Sequence, residues 1–259
     1  MITVTFIRHG ESEDNLRTVW AGWKDAPLSA LGRKQAEAVA KYFADTKFDY
    51  IYASPLLRAY ATGKAVHEAQ PLRPPFSVNP KLREQHFGIA EGNPWLLEIP
   101  EGVTAEELMA KNIFPVLPTR ADGFPEGESL EDLARRAEEA IAECVLPHIG
   151  EDGAHIAVAS HGLCISELIA ALLRLDPYSR RDISYTGLLN TAWTRLTIAQ
   201  RSPDDPCALQ VTVTDVNRSD HLATVEIPEV PVAVDEDARA FFGGGGKPVA
   251  DVPVTNARV

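Results

Sequence analysis

Short apolar runs recur along most of the chain and predict the strands of a sheet. At the N-terminus, Ile2, Val4 and Phe6 alternate with threonines over residues 2–7, which is the spacing of a strand that buries one face. Residues 155–159 are almost continuously apolar, as is typical of the centre of a sheet. Further strands are predicted at 50–53, 76–78, 191–199 and 207–214, the last two as a hairpin.

Helical periodicity and capping residues lie between these runs. Ser29 and Ser129 are candidate N-caps, and Glu131 and Asp132 in the first turn after Ser129 suit the helix dipole. Pro55 fits the first turn of another helix, where a missing N–H is tolerated. The predicted helices span residues 30–45, 55–69, 130–148 and 163–174, with a short one at 104–112.

The alternation of strands and helices predicts an α/β fold, namely a three-layer α/β/α sandwich with a mostly parallel central sheet. Residues 90–127 are irregular, rich in proline and glycine, and too long for an ordinary connection, so we expect an inserted lid over a site. These segments form one domain over residues 1–226. Repeated Pro-Val pairs, acidic residues and a glycine run over 227–259 predict an extended or partly disordered tail.

Composition and charge narrow the class of protein and of partner. The 259 residues, 45% of them hydrophobic, are enough for one sizeable core. A net charge of -12 argues against nucleic acid and against an acidic membrane surface as partners. Three cysteines without C-x-x-C spacing, and no signal-peptide or bilayer-length pattern, predict a cytoplasmic protein with reduced thiols. No heptad or apolar stripe indicates an oligomeric state.

The candidate chemistry lies where predicted strands end. Arg8 and His9 follow the first strand and precede Gly10, which lets the backbone approach a ligand closely. A guanidinium matches phosphate oxygens, and an imidazole can attack phosphorus and leave again. His161 follows the 155–159 strand in the same manner. Because the carboxyl ends of parallel strands share one edge, the two histidines are expected to face one pocket.

Three more residues complete a candidate anion site. Arg58 lies at the start of the helix that follows the 50–53 strand, within reach of the strand ends. Gly162 opens the helix after His161, and the N–H groups of a helix N-terminus favour an anion. Glu84 follows the third predicted strand and supplies a carboxyl that can act as a general acid toward a leaving group.

Together these segments resemble the histidine phosphatase superfamily, also called the phosphoglycerate mutase-like family. The resemblance covers residues 2 to about 175, and five ordered blocks make it specific. The matching blocks are Arg8-His9-Gly10-Glu11-Ser12 with Asn15; Pro27-Leu28-Ser29 with Leu31-Gly32; Ser54-Pro55 with Arg58; Leu82, Glu84 and Phe87-Gly88 with Glu91-Gly92; and Ser160-His161-Gly162.

The resemblance implies a role for each residue and a reaction that needs neither metal nor cofactor. His9 would become phosphohistidine, and Glu84 would protonate the leaving oxygen and then activate water. The residues implied for phosphate binding are Arg8, Asn15, Arg58, His161, the Gly162 amide and Gly22. Ala21, just before Gly22, stands where many relatives carry a serine or threonine that contacts phosphate. The implied ligand is a small phosphorylated metabolite.

Two departures favour the phosphatase branch of the family over the mutase branch. Mutases usually carry a lysine shortly after the Glu91-Gly92 position and an arginine pair in the insertion, both for a carboxylate. This chain has no such lysine, and Arg120 stands without an arginine neighbour. The prediction is therefore a phosphoric monoester hydrolase. A phosphoglycerate-type mutase and a non-catalytic phospho-ligand-binding protein remain the alternatives, although the complete catalytic set argues against the second.

For most of the remaining histidines and for the tryptophans, a surface or structural role is at least as well supported as a role in the site. A late segment around His221 resembles one found in some relatives and could place that residue near the pocket. The tryptophans could line the substrate side or simply pack the core. The residues concerned are Trp20, Trp23 and Trp95, whereas the histidines assigned to surface or structural roles are His67, His86, His148 and His155.

Overall fold

A computed structural model describes residues 1–180, 185–202 and 205–225 of the chain. The tail predicted from residue 227 lies outside these residues. The strands are β1 (Ile2–Arg8), β2 (Tyr50–Ala53), β3 (Phe76–Val78), β4 (Trp95–Leu96), β5 (Phe114–Pro115), β6 (His155–Ser160), β7 (Trp193–Ser202) and β8 (Asp205–Arg218). The helices are α1 (Ala30–Tyr42), α2 (Leu57–Glu68), α3 (Ala105–Met109), α4 (Leu130–Cys144) and α5 (Gly162–Arg174). Within the described residues, none of these helices has both the length and the apolarity needed to cross a bilayer.

Six strands form the main sheet in the order β3-β2-β6-β1-β7-β8. The first four strands of this order, β3 to β1, are parallel to one another. β7 runs antiparallel to β1, and β8 runs antiparallel to β7. The predicted α/β class with a mostly parallel sheet is confirmed, and the last two strands form the expected hairpin. The parallel strands therefore deliver their carboxyl ends to one edge.

Side chains on the two faces of the sheet pack against different helices. Phe6 lies in one buried cluster with Leu133 of α4 and Leu168 of α5. Ile7, the next residue of β1, lies in the other cluster with Phe43 beside α1. Because successive side chains of a strand point to opposite faces, β1 fixes helices on both sides of the sheet. The three-layer arrangement follows from this alternation.

Each of the five helices named above differs from its predicted range at one end or both, and for α2 and α4 the reason is local. Pro55 stands before α2, because Leu56 has extended backbone angles and the helix begins at Leu57. The predicted helix over 130–148 ends at Cys144, and a separate 3-10 turn covers Leu146–His148. Proline cannot donate the N–H that an α-helix would need at position 147, so the α-helical ladder stops before it.

The 90–127 insertion packs in an aromatic cluster that it shares with residues from outside it. Its two short strands, β4 and β5, pair in parallel. The indole N–H of Trp20 donates to the carbonyl oxygen of Phe114 at 2.9 Å. Trp20 also belongs to a small buried cluster with Phe87 and Trp95. Trp20 and Trp95 are thus core residues, and the lid role of the insertion stays a prediction.

Candidate active site

The strand register places the two predicted histidines side by side. Arg8 pairs with Ser160 between β1 and β6, so His9 and His161 are the next residues on neighbouring strands. Their imidazole rings lie 5.1 Å apart, centroid to centroid, at an interplanar angle of 56°. Both side chains are buried. The two strand-end histidines therefore share one site, as expected from the topology.

The His9 imidazole is held in a form that suits attack on phosphorus. Its Nδ1 lies 2.6 Å from the carbonyl oxygen of Gly10, which can only accept, so Nδ1 carries the proton. Burial, followed by the positive charges of Arg58 and Arg8, holds the pKa of His9 well below its ordinary value. The ring is therefore neutral, and its Nε2 keeps a lone pair.

Residues close to β7 hold the main chain of His9. The N–H of Thr191 and the side-chain amide of Asn190 both donate to the His9 carbonyl oxygen, at 3.2 and 3.1 Å. His221 reaches Thr191 through a 2.9 Å contact between Nε2 and Oγ1. His221 is thus connected to His9 through Thr191. The sequence left open whether His221 lies near the site, and these contacts place it one residue away from His9.

Two buried arginines give the site positive charge. Arg8 donates to the carbonyl oxygen of Leu188, and Arg58 donates to the carbonyl oxygens of Gly22 at 2.7 Å and Lys24 at 3.1 Å. Burial lowers the pKa of Arg8 to about 10, so its guanidinium stays charged at neutral pH. Two buried positive charges therefore lie close to the histidine pair within a chain whose net charge is -12.

His161 offers a ring nitrogen to the pocket. Its Nε2 lies 2.8 Å from the hydroxyl oxygen of Ser54. Its Nδ1 is buried and has no hydrogen-bond partner within the residues that the structure describes. Burial, then the charge of Arg58, holds the pKa of His161 well below its ordinary value. Because a buried polar nitrogen normally has a partner, a phosphoryl oxygen is a suitable one here.

The Glu84 carboxylate lies at the N-terminus of α5. Its Oε1 accepts from the N–H groups of Cys164 and Gln85, both at 3.0 Å, and its Oε2 accepts from the N–H of Leu163 at 3.2 Å. The orphan donors of this helix end thus position the predicted general acid. Gly162, predicted to bind phosphate through its amide, is the first residue of the same helix.

Asn15 and Gly22, the two remaining predicted phosphate ligands, form hydrogen bonds with other residues of the site. The side-chain oxygen of Asn15 accepts from the N–H of Ser12 at 3.0 Å and from its hydroxyl at 3.1 Å, which leaves its amide NH2 for a phosphate contact. Gly22 supplies a carbonyl oxygen to Arg58. Its φ of +51°, and the Glu91 Oε1 atom 2.1 Å from where a Cβ would lie, favour glycine at this position.

Sequence reasoning missed residues that hold the site together. Thr62 accepts from the N–H of Gly10 at 3.1 Å and donates to the Arg58 carbonyl oxygen at 2.8 Å. Its place one turn after Arg58 on a predicted helix is the signal that could have identified it. The sequence carries no comparable signal for Arg136 of α4, which contacts the Glu84 segment.

The described residues contain no cluster of histidine, cysteine and carboxylate side chains suited to a metal ion.

Comparison with known proteins agrees with this geometry. The family model described as the histidine phosphatase superfamily (branch 1) matches residues 4–204. A protein of Yersinia enterocolitica named "Probable phosphoglycerate mutase GpmB" is 33% identical over 184 residues, which cover 71% of this chain and 80% of that protein. A relative with the same name from Proteus mirabilis is 32% identical and covers 74% of this chain and 88% of its own length.

Solved structures of similar fold include phosphatases. A mycobacterial glucosyl-3-phosphoglycerate phosphatase superposes with a TM-score of 0.63 and 26% identity, over 84% of this chain and 99% of that chain. A phosphoserine phosphatase from Entamoeba histolytica gives a TM-score of 0.59 at 24% identity, over 86% of this chain and 100% of that chain. The second likeness concerns the fold alone.

Proposed function

Because this chain belongs to branch 1 of the histidine phosphatase superfamily, we propose that it is a phosphatase that hydrolyses a small phosphorylated metabolite through a phosphohistidine at His9. The observation that carries this proposal is the state of the His9 ring. It is neutral, its Nδ1 proton is bound to the Gly10 carbonyl oxygen, and Nε2 is the remaining nucleophilic atom.

In the first half-reaction, Nε2 of His9 forms a bond to phosphorus while the bond from phosphorus to the ester oxygen breaks. The Glu84 carboxyl transfers its proton to that oxygen, so the alcohol leaves neutral. Arg8, Arg58 and the Nδ1 side of His161 surround the phosphoryl oxygens, where the charge of the transition state is concentrated. These groups are already buried and fixed, so little reorganisation is needed.

In the second half-reaction, the Glu84 carboxylate takes a proton from water as the water oxygen attacks phosphorus. The bond from phosphorus to Nε2 breaks, and the lone pair returns to His9. The products are inorganic phosphate and the free enzyme with Glu84 protonated again. Each proton is transferred by this chain's own residues, and the positive charge around the phosphoryl group comes from the arginines.

Two cations bear on the alternative, a phosphoglycerate-type mutase. Arg120 pairs with the buried carboxylate of Glu167 at 2.8 Å, so its charge is already neutralised. Lys24 approaches the Glu91-Gly92 segment, since its Nζ lies 2.3 Å from where a Cβ of Gly92 would be. The first contact supports a phosphatase. The second, with the names of the relatives, keeps a carboxylate-binding mutase as the alternative.

The direct test is turnover of an aryl phosphate by the full chain in the presence of chelator. We expect release of phosphate, an acid-labile phosphoryl label on the wild-type protein, and loss of both in His9→Ala. His67→Ala is the matched control, because it removes an α2 histidine whose Nε2 lies 2.9 Å from the carbonyl oxygen of Pro74. Activity that depends on an added divalent ion, or a label retained in His9→Ala, would overturn the proposal.

A second assay separates phosphatase from mutase. The protein is given 3-phosphoglycerate with and without a bisphosphorylated primer, and free phosphate and 2-phosphoglycerate are both measured. We expect phosphate to appear at the faster rate. Faster formation of 2-phosphoglycerate would establish the mutase.

A further inference from the structure

The segment that carries Glu84 depends on support from other parts of the chain. It follows a 3-10 turn over Pro80–Leu82 and belongs to neither a helix nor a strand. The Arg136 guanidinium on α4 donates to the carbonyl oxygens of Lys81 at 2.8 Å, Arg83 at 2.7 Å and Glu84 at 2.9 Å. One side chain thus binds three carbonyl groups of the segment.

Arg136 is itself held in one orientation. Glu128 accepts from its Nε at 2.8 Å and from its Nη2 at 2.6 Å, which is a two-point contact with the planar guanidinium. The side chains of Arg136 and Glu128 are only 13% and 19% exposed. Glu128 also accepts from the N–H of His86 at 3.0 Å. The pair therefore connects α4 to both sides of Glu84.

Trp23 supports the same carbonyl group. Its indole N–H donates to the Glu84 carbonyl oxygen at 2.7 Å. The Arg83 guanidinium lies 3.5 Å from the centre of the Trp23 ring, and the His86 ring stacks on it at 4.5 Å and 25°. The Glu84 carbonyl oxygen thus accepts two hydrogen bonds, from donors that are 113 residues apart in the chain.

We propose that Arg136 and Trp23 are positioning residues that fix the main chain of Glu84 so that its carboxyl reaches the leaving oxygen of the substrate. The inference rests on the proposed function, in which Glu84 is the general acid. The N–H groups of α5 hold the carboxylate, and the two donors hold the carbonyl group of the same residue. A catalytic group must keep its place within about 0.5 Å.

The test compares two substrates that differ in their need for acid catalysis. A 4-nitrophenyl ester leaves readily without a proton, whereas a simple alkyl ester requires one. Trp23→Phe removes the indole N–H while keeping an aromatic ring for contact with Arg83 and His86. We expect the ratio of alkyl to aryl kcat/KM to fall about 10-fold in this variant. Glu84→Gln, which removes the general acid itself, should lower the same ratio. Arg136→Lys, which loses the planar fork, is expected to act in the same direction.

Trp20→Phe is the matched control, because it deletes an indole N–H bond to the carbonyl of Phe114 rather than of Glu84. We expect the substrate ratio to stay at its wild-type value in this variant. If Trp23→Phe lowered kcat/KM for the two substrates by the same factor, or left both values unchanged, the positioning role would be overturned. This outcome is decisive even if Arg136→Lys fails to fold. If Glu84→Gln left the ratio unchanged, or the wild type formed no phosphohistidine, the proposed function itself would fail.

Discussion

Ser54 and His161 lie 2.8 Å apart, hydroxyl oxygen to Nε2, at the carboxyl ends of β2 and β6. The contact joins residues 107 positions apart in the chain. It occupies Nε2, so that Nδ1 is the ring nitrogen without a hydrogen-bond partner among the described residues. In the proposed reaction, Ser54 therefore affects phosphoryl binding through the orientation of His161, although it carries no charge itself.

This contact predicts graded losses of activity. His161→Ala should lower kcat/KM by about 10²–10³, the usual loss when one fixed donor to a developing charge is removed. Ser54→Ala should lower kcat/KM by about 10-fold, since the ring stays but loses its orientation. Steady-state kinetics with an aryl phosphate measures both, with His67→Ala as the control. If Ser54→Ala and His161→Ala lowered kcat/KM by the same factor, the prediction would be contradicted.

The histidine pair should not titrate at neutral or mildly acidic pH. Burial and the neighbouring arginines hold the pKa values of His9 and His161 well below the ordinary value, so both rings stay neutral as pH falls. Ring nitrogen chemical shifts of isotopically labelled histidine, followed from pH 8 to 5, check this. We expect neutral rings with Nδ1 of His9 protonated throughout. A midpoint near 6.5 for His9, as in the urea-unfolded chain, would contradict the prediction.

Activity should be insensitive to thiol reagents, although Cys164 donates its N–H to Glu84. Burial raises the pKa of the Cys164 thiol to about 12 and that of Cys144 to about 11, so neither forms thiolate at neutral pH. Iodoacetamide should leave kcat unchanged in the native protein, with mass spectrometry locating any modification. The same treatment after unfolding, which exposes both thiols, is the control. If activity fell in proportion to alkylation of Cys164, the prediction would be wrong, because the thiol would then be accessible in the native protein.

Gly32→Ala should destabilise the protein although alanine favours helices. In an exposed helix interior this change would stabilise by about 0.5–1 kcal/mol. Here a Cβ at Gly32 would lie 1.9 Å from the carbonyl oxygen of Glu11, so the start of α1 would have to move away from the segment that contains His9 and Glu11. We expect a loss of about 2–3 kcal/mol in the free energy of unfolding. Urea denaturation measures it, and exposed Lys34→Ala on the same helix should change it by less than about 0.5 kcal/mol. A stabilised Gly32→Ala would refute the contact.

For Gly10, the sequence predicted the need for glycine but not its structural reason. Its place after Arg8-His9 suggested a close approach of the backbone to a ligand. The structure supplies a different constraint, since a Cβ at Gly10 would lie 2.5 Å from the carbonyl oxygen of Gly32 on α1. The residue type was informative, but the partner depends on which helix packs against the strand end.

The sequence by itself determined the sheet-forming runs, the order of strands and helices, and the strand ends that carry His9 and His161. These properties follow from local periodicity and from the rule that parallel strands end at one edge. Only the tertiary structure decided that Arg136 and Trp23 support Glu84, and that Thr191 and Asn190 hold the main chain of His9. Those contacts join segments 52 to 182 residues apart in the chain. Such partners are set by packing of whole helices and loops, for which no short pattern of residues gives a signal.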